Sequence, residues 1–475
     1  MNPFFSRRQM LKTSACGFGY LALADMCSRL AAAEAVSPTT APADDAAKHY
    51  QSPLLPKEPH FPAKAKRVIF LFMQGAPSHV DTFDYKPQLF KDDGKSLLGR
   101  TLLAPPWKFG RAGKSGLYIS ELFPQLAHHA DDLCMLNGMN TDQPAHPQAT
   151  IELHTGSIRF VRPSMGAWVL YGLGTQNQNL PGFITINPPP GVGGAQNYGA
   201  GFLPAAFQGT RLNGPNERGR GPGSIASGSL GIENVTPAYS TNTQRRQLDL
   251  IQAMNHDMLQ RSGENPQIEG VIESFELGFR MQTAVPGVMD FSKESQSTLA
   301  MYGIGQQATD TFGRQCLMAR RFAEAGVRFI EVSHAGWDQH TQLHVKHAQN
   351  ALATDQPIAA LLTDLKQRGL LKDTLVVWGG EFGRTPTAQN RDGRDHNNRG
   401  YTMWMAGGGT KGGFTYGQTD EYGAKAVNNP MHVHDLHATI LALLGLNHEQ
   451  LTYRYAGRDF RLTDVYGNVA KQIIA

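Results

Sequence analysis

Cysteine is scarce, with four in 475 residues, at positions 16, 27, 134 and 316. None form a C-x-x-C pair, which sets aside zinc-ribbon and thioredoxin-type chemistry. No uninterrupted apolar run approaches the roughly 18 residues that a membrane helix needs. No G-x-G-x-x-G follows a strand-like run, so a dinucleotide-dependent oxidoreductase is the weakest reading. Charge is modest, with 18% Asp, Glu, Lys and Arg and a net +4. Arg7, Arg8, Lys12 and Arg29 against Asp25 account for a surplus of three in the first 33 residues, so the rest is nearly neutral. A nucleic-acid binder working by bulk charge is excluded. What is plentiful is glycine (51), proline (28) and histidine (17). The first two imply many long loops. The 40% hydrophobic content suffices for a core, and the length fits one large α/β domain or two ordinary ones.

The amino terminus reads as an address. Ser6-Arg7-Arg8-Gln9-Met10-Leu11-Lys12, the mildly apolar Thr13 to Ala24 and the small residues Ala31-Ala32-Ala33 form a twin-arginine export pattern over residues 1–33. The expected location is therefore periplasmic or exported. That route carries folded proteins, many with an inserted metal or cofactor. Residues 34–64, rich in Ala, Pro and Asp, read as a linker. Cys134 and Cys316 are compatible with a disulfide in such a compartment, which the spacing does not decide.

From residue 65 strands and helices alternate. Arg67 to Met73 is a continuous apolar run, as in a strand buried on both faces. Leu133–Leu136, Val327–Val332, Leu375–Trp378 and Tyr401–Ala406 are further strands. Thr309–Ala325, Thr354–Arg368 and Leu436–Leu444 are helices, the first two closed by Gly326 and Gly369. The pattern predicts an α/β fold with a mostly parallel sheet covered on both faces. Residues 187–230, rich in Gly and Pro, read as a surface insertion near the active-site face.

Ligands of such sheets bind beyond the carboxyl ends of the strands, and polar clusters gather there. They are Gln74 to Asp84, Ser333 to His340 with His344 and His347, Gly379 to Pro386, and Arg394 to Asn397. Neutral imidazoles and carboxylates from separate strand ends hold Zn²⁺, Mn²⁺ or a similar divalent ion. His79 and Asp81, two apart, share one side if the segment is extended. Asp338 and His340 are either ligands or turn formers. Glu381 is either a ligand or a buried partner of Arg384. His396, with nothing apolar near it, reads as a ligand. His347 reads as one polar helix face, and His432, His434 and His437 as structural groups at a helix start. Gly407 to Gly413 lacks the spacing of a phosphate loop.

In order, G-A-P-S-H-V-D-T-F-D at 75–84, N-Y-G-A-G-F-L-P-A at 197–205, H-A-G-W-D-Q-H at 334–340, G-G-E-F-G-R-T-P at 379–386, G-R-D-H-N at 393–397 and H-D-L-H-A-T-I at 434–440 resemble one family. It is the twin-arginine-exported bacterial family catalogued as domain of unknown function 1501, itself similar to the alkaline phosphatase and sulfatase superfamily. The resemblance covers essentially the whole mature chain. It implies a three-layer α/β/α sandwich over residues 65–475. It also implies a divalent metal (zinc, manganese or calcium) and, as ligands, Asp338, His340 and His396, with Glu381 in the superfamily's acidic turn. Phe382 stands where the superfamily has His or Asn. Gln74 stands where it has an acid, for which Asp81 or Asp84 substitutes in this reading. Counting back from Thr155-Gly156 puts His146 at the nucleophile position, as a metal ligand or an unusual nucleophile; Ser78, Thr141 and Thr150 are weaker candidates. The implied chemistry is hydrolysis of a phosphate or sulfate ester, on a small molecule or polysaccharide. His146 or His79 would move the proton and Arg384 would hold the tetrahedral anion. A binding protein that kept the fold and lost the chemistry is the competing expectation. Oligomeric state is not legible.

Overall fold

The first strand, β1 (Arg67–Met73), is buried at every position, and its side chains divide between two cores. Ile69, Leu71 and Met73 point into one, and Val68, Phe70 and Phe72 into the other, as the period of two in a strand requires. In the computed structural model, which describes residues 52–212, 237, 239–263 and 265–475, this strand lies inside a nine-stranded sheet.

In chain order the framework continues with the helical turn α1 (His79–Thr82), β2 (Leu133–Asn140), α2 (His146–Thr155), α3 (Met165–Leu173), β3 (Phe183–Ile186) and β4 (Thr210–Leu212). The long pair α4 (Thr241–Ser262) and α5 (Pro266–Met289) follows, then α6 (Asp310–Glu324), β5 (Phe329–His334), α7 (Leu343–Gln367) and β6 (Thr374–Gly379). The hairpin β7 (Gly383–Gln389) and β8 (Gly393–Asn397) leads into β9 (Tyr401–Ala406), β10 (Phe414–Tyr416), β11 (Met431–His432) and α8 (Val433–Leu443).

The sheet order is β10-β2-β9-β6-β1-β5-β3-β4, with β11 also paired to β2. Only β9 runs against its neighbours; the other pairs in this sheet are parallel. The exception has a simple cause. Between β6 and β9 the chain makes a hairpin instead of a crossover helix, so it returns antiparallel. Helices α5, α6 and α7 supply Val285, Phe322 and Leu361 to one core, while α2, α3 and α8 supply Leu153, Trp168 and Ile440 to the other. The architecture is thus a three-layer α/β/α sandwich on a mostly parallel sheet.

Helix α7 begins eleven residues before the expected Thr354 and runs through Pro357. His347 is buried on it rather than on a polar face, its Nδ1 donating to Gln339 Oε1 at 3.0 Å. Cys134 and Cys316 are free, buried thiols in the two separate cores, so they form no disulfide. Burial pushes the Cys134 thiol up to about 12. Of the stretch expected as a linker, residues 52–64 lie against the domain: Leu54 is buried and its carbonyl accepts from Thr175 N, while Lys64 N and Ala65 N donate to Leu443 O. The twin-arginine segment lies outside the described residues, as do residues 213–230 of the expected insertion. Among the described residues, no helix is long and apolar enough to cross a membrane.

Candidate metal centre

Four segments leave the carboxyl ends of parallel strands on one side of the sheet. Gln74–Ala76 follows β1, residues 141–146 follow β2, Ala335–His340 follows β5, and Gly380–Glu381 follows β6. The β7–β8 hairpin folds over them. Two glycines permit the approach. Gly75 has φ +102°, and a Cβ there would lie 2.6 Å from Asp338 N. A Cβ on Gly393 would lie 2.0 Å from His340 O.

The result is a convergence of His146, Asp338, His340 and His396. His340 Nε2 is 2.9 Å from Asp338 Oδ1, His146 Nε2 is 3.2 Å from it and His396 Nε2 is 3.4 Å. His340 Nε2 and His396 Nε2 are themselves 2.9 Å apart. The other ring nitrogens all face oxygen acceptors. His146 Nδ1 meets Glu381 Oε1 at 2.5 Å, His340 Nδ1 meets Gln389 Oε1, and His396 Nδ1 meets the Pro144 carbonyl at 2.6 Å. A neutral imidazole whose Nδ1–H is spent on an acceptor presents a lone pair at Nε2. Three such lone pairs and a carboxylate oxygen therefore share one point, the donor set of a divalent transition-metal site. The Asp338 side chain is 45% exposed, so solvent and solutes reach that point.

Partial burial opposes charge on Asp338, but hydrogen bonds from His146 and His396 and the Arg384 guanidinium outweigh it and hold the carboxyl well below the usual range. Burial likewise opposes charge on His146, and the carboxylates of Asp338 and Glu381 overcome it, pushing the imidazole up to about 9, so without an ion the ring keeps a proton on Nε2 that a bound metal must displace.

Several expected site residues stand elsewhere. Glu381 is fully buried and takes no place among the four; it accepts from Gly75 N at 3.1 Å and backs His146. His79 and Asp81 sit on the helical turn α1, not on an extended segment, so a spacing of two does not put them on one side. His79 Nε2 contacts Gly423 O at 2.8 Å. Asp81 forms a doubly hydrogen-bonded pair with Arg394, at 2.6 and 3.0 Å, with both side chains fully buried. Ser78 is fully buried and donates to Asp81. Asp84 pairs with Lys86 instead of replacing an acid at the end of β1. Thr141 donates to Glu152, and Thr150 is buried. Arg384 is also buried, and its donors go to Ala76 O, Arg394 O, Gly75 O and Asp338 Oδ1. It braces the β1 turn and Asp338 from a buried position, turned toward protein oxygens rather than toward solvent. His146 is held with the ligand-type groups, on the ligand side of the alternative left open for it.

Gln389 and the Pro144 carbonyl were not singled out from the sequence; a glutamine and a backbone oxygen carry no motif. A second group, Glu152, His432 and His434, has ligand-type atoms close together. Its chemistry differs. His432 Nδ1 accepts from His434 N as the cap of α8, so the ring proton sits on Nε2, directed at Asp142 Oδ1 (3.3 Å) and Glu152 Oε1 (3.7 Å). His434 Nε2 meets Gly156 O at 3.0 Å. This is a hydrogen-bonded helix cap.

A family model described as protein of unknown function (DUF1501) matches residues 65–474. No curated protein matches the chain. Among solved structures, a sulfatase, PsFucS1 from Pseudoalteromonas sp., is similar at 12% identity and TM-score 0.35, over 81% of this chain and 68% of that one. A protein in the alkaline phosphatase superfamily from Vibrio parahaemolyticus is similar at 9% and 0.37, over 84% and 71%. The periplasmic domain of EcEptC from Escherichia coli, in complex with zinc, is similar at 9% and 0.36, over 84% and 88%.

Proposed function

The chain belongs to the DUF1501 family, and from that premise we propose that it is an exported, metal-dependent hydrolase of phosphate or sulfate esters, built like a sulfatase. The observation that carries the reading is the convergence of three Nε2 atoms on Asp338 Oδ1, with each Nδ1 tied to an oxygen. Asp338, His340, His396 and His146 would hold the ion. A bound divalent ion supplies Lewis-acid polarisation of an ester oxygen and a lowered water pKa. Glu381 keeps the proton of His146 on Nδ1, and Arg384 fixes the Asp338 carboxylate at 2.6 Å. The exposed edge of Asp338 leaves room for a small-molecule or polysaccharide ester to approach. The Arg7-Arg8 pair would direct the folded, loaded chain through the twin-arginine route.

The test is turnover of p-nitrophenyl phosphate and p-nitrophenyl sulfate by the full chain with zinc or manganese, beside His340→Ala. Hydrolysis that requires metal and is lost in the variant is expected. Tight metal with no turnover of aryl or sugar phosphates and sulfates would replace the hydrolase by a non-catalytic binding protein on the same fold.

A further inference from the structure

A cavity of about 590 Å³ opens beside the β2 and β10 edge of the sheet, and none of its lining residues belongs to the Asp338 cluster. Its size is that of a small-molecule site. Tyr85 and Tyr118 form an aromatic wall, their ring centroids 4.6 Å apart. On β2, Asn137 directs Nδ2 to Phe83 O and Asp84 Oδ1 at 3.5 and 3.4 Å, while its Oδ1 is buried without a partner. Lys86 and Asp84, both buried lining residues, pair at 2.9 Å, and Lys86 Nζ also donates to Thr419 O at 3.3 Å. Their charges cancel. Gln418 and further neutral amides complete the lining.

We infer that this cavity binds a neutral oligosaccharide unit. The lining offers a free anion no uncompensated cation. A purely apolar ligand would take water from the exposed amides of Gln418, Asn428 and Asn429 and replace it with nothing, a strong ground for rejection at a site built for hydroxyl groups. A sugar satisfies both halves of the lining: its C–H face lies on the tyrosine rings, and its hydroxyls exchange hydrogen bonds with the exposed amides of Gln418, Asn428 and Asn429. The inference is independent of the metal reading.

The test is a titration of the full chain with uncharged gluco-, manno-, galacto- and xylo-oligosaccharides, followed by calorimetry. At least one should bind, and Tyr118→Ala and Gln418→Ala should each weaken it about tenfold, as loss of a central contact does. Thermal stability and metal content should not change. Absence of binding by the whole panel at millimolar sugar, binding indifferent to both variants, or binding abolished by His340→Ala would overturn the inference. The last outcome would move the ligand to the Asp338 cluster.

Discussion

Glu381 Oε1 lies 2.5 Å from His146 Nδ1, and this bond decides which nitrogen of His146 faces Asp338. The carboxylate is anchored in turn by Gly75 N, so the β1 turn, the β6 end and α2 are tied together behind the imidazole. Glu381→Leu should therefore lower metal affinity about 10–100-fold, the effect of losing such a partner, with less loss in Glu381→Gln, which keeps an acceptor. Competition against a chelator measures it. Equal affinity in Glu381→Leu and the native chain would remove Glu381 from the account.

Asp81 and Arg394 form a fully buried ion pair. Removing one partner strands the other charge away from water, so Asp81→Asn should destabilise the fold by about 3–5 kcal/mol. The folded fraction should keep its metal, since Asp81 touches Arg394 and Ser78 rather than the cluster. Denaturant unfolding and metal analysis on the same sample read both. Metal loss with unchanged stability would restore Asp81 as a ligand.

Gly75→Ala places a side chain where φ is +102° and where Asp338 N is 2.6 Å away. Strain of this kind is worth about 1–3 kcal/mol, and its relief must move the Asp338 segment. A lower midpoint together with weaker metal retention is expected. A variant that binds metal like the native chain would show that the turn is not what sets Asp338.

Burial lowers His334 and His347 to about 4 and His437 to about 3. In the unfolded chain each titrates near 6.5. Between about pH 4 and 6.5 the unfolded state thus holds protons that the folded state does not, so stability falls as the solution is acidified through that window. Glu152 has the opposite sign. Burial raises it to about 7, so its contribution declines as pH rises from about 4.5 to 7. The three imidazoles outweigh the one carboxyl, and the melting temperature should climb from pH 4.5 to 6.5. Glu152→Gln should gain stability at pH 8 relative to pH 4.5. A flat melting profile across pH 4.5–6.5 would contradict these assignments.

Much of the frame was legible because apolar runs such as Arg67–Met73 and Tyr401–Ala406 admit no other placement than a buried strand. The start of α7 was hidden by the polar run before Pro357. Helices α4 and α5 were also missed, although Ser240 and Asn265 cap them with side-chain bonds to backbone N–H groups; their exposed, weakly apolar surfaces blur the period. At the site, Asp338 and His340 follow the end of β5, where ligands gather, while His396 lies on the β7–β8 hairpin. Arg384 misled because nothing in a sequence says whether a guanidinium points out to an anion or back to four oxygens. The spacing of His79 and Asp81 suits joint ligation only on an extended chain, whereas Ser78 begins a helical turn.

The central claim is that Asp338, His340, His396 and His146 bind one divalent ion. Elemental analysis by plasma mass spectrometry, on the purified chain and on the double variant Asp338→Ala with His340→Ala, tests it most directly. The account predicts about one equivalent of zinc, manganese or a similar ion in the native chain, as a site with this donor set holds, removable by chelator and absent from the double variant. Metal content unchanged by the two substitutions, or no metal after growth in metal-replete medium, would contradict it.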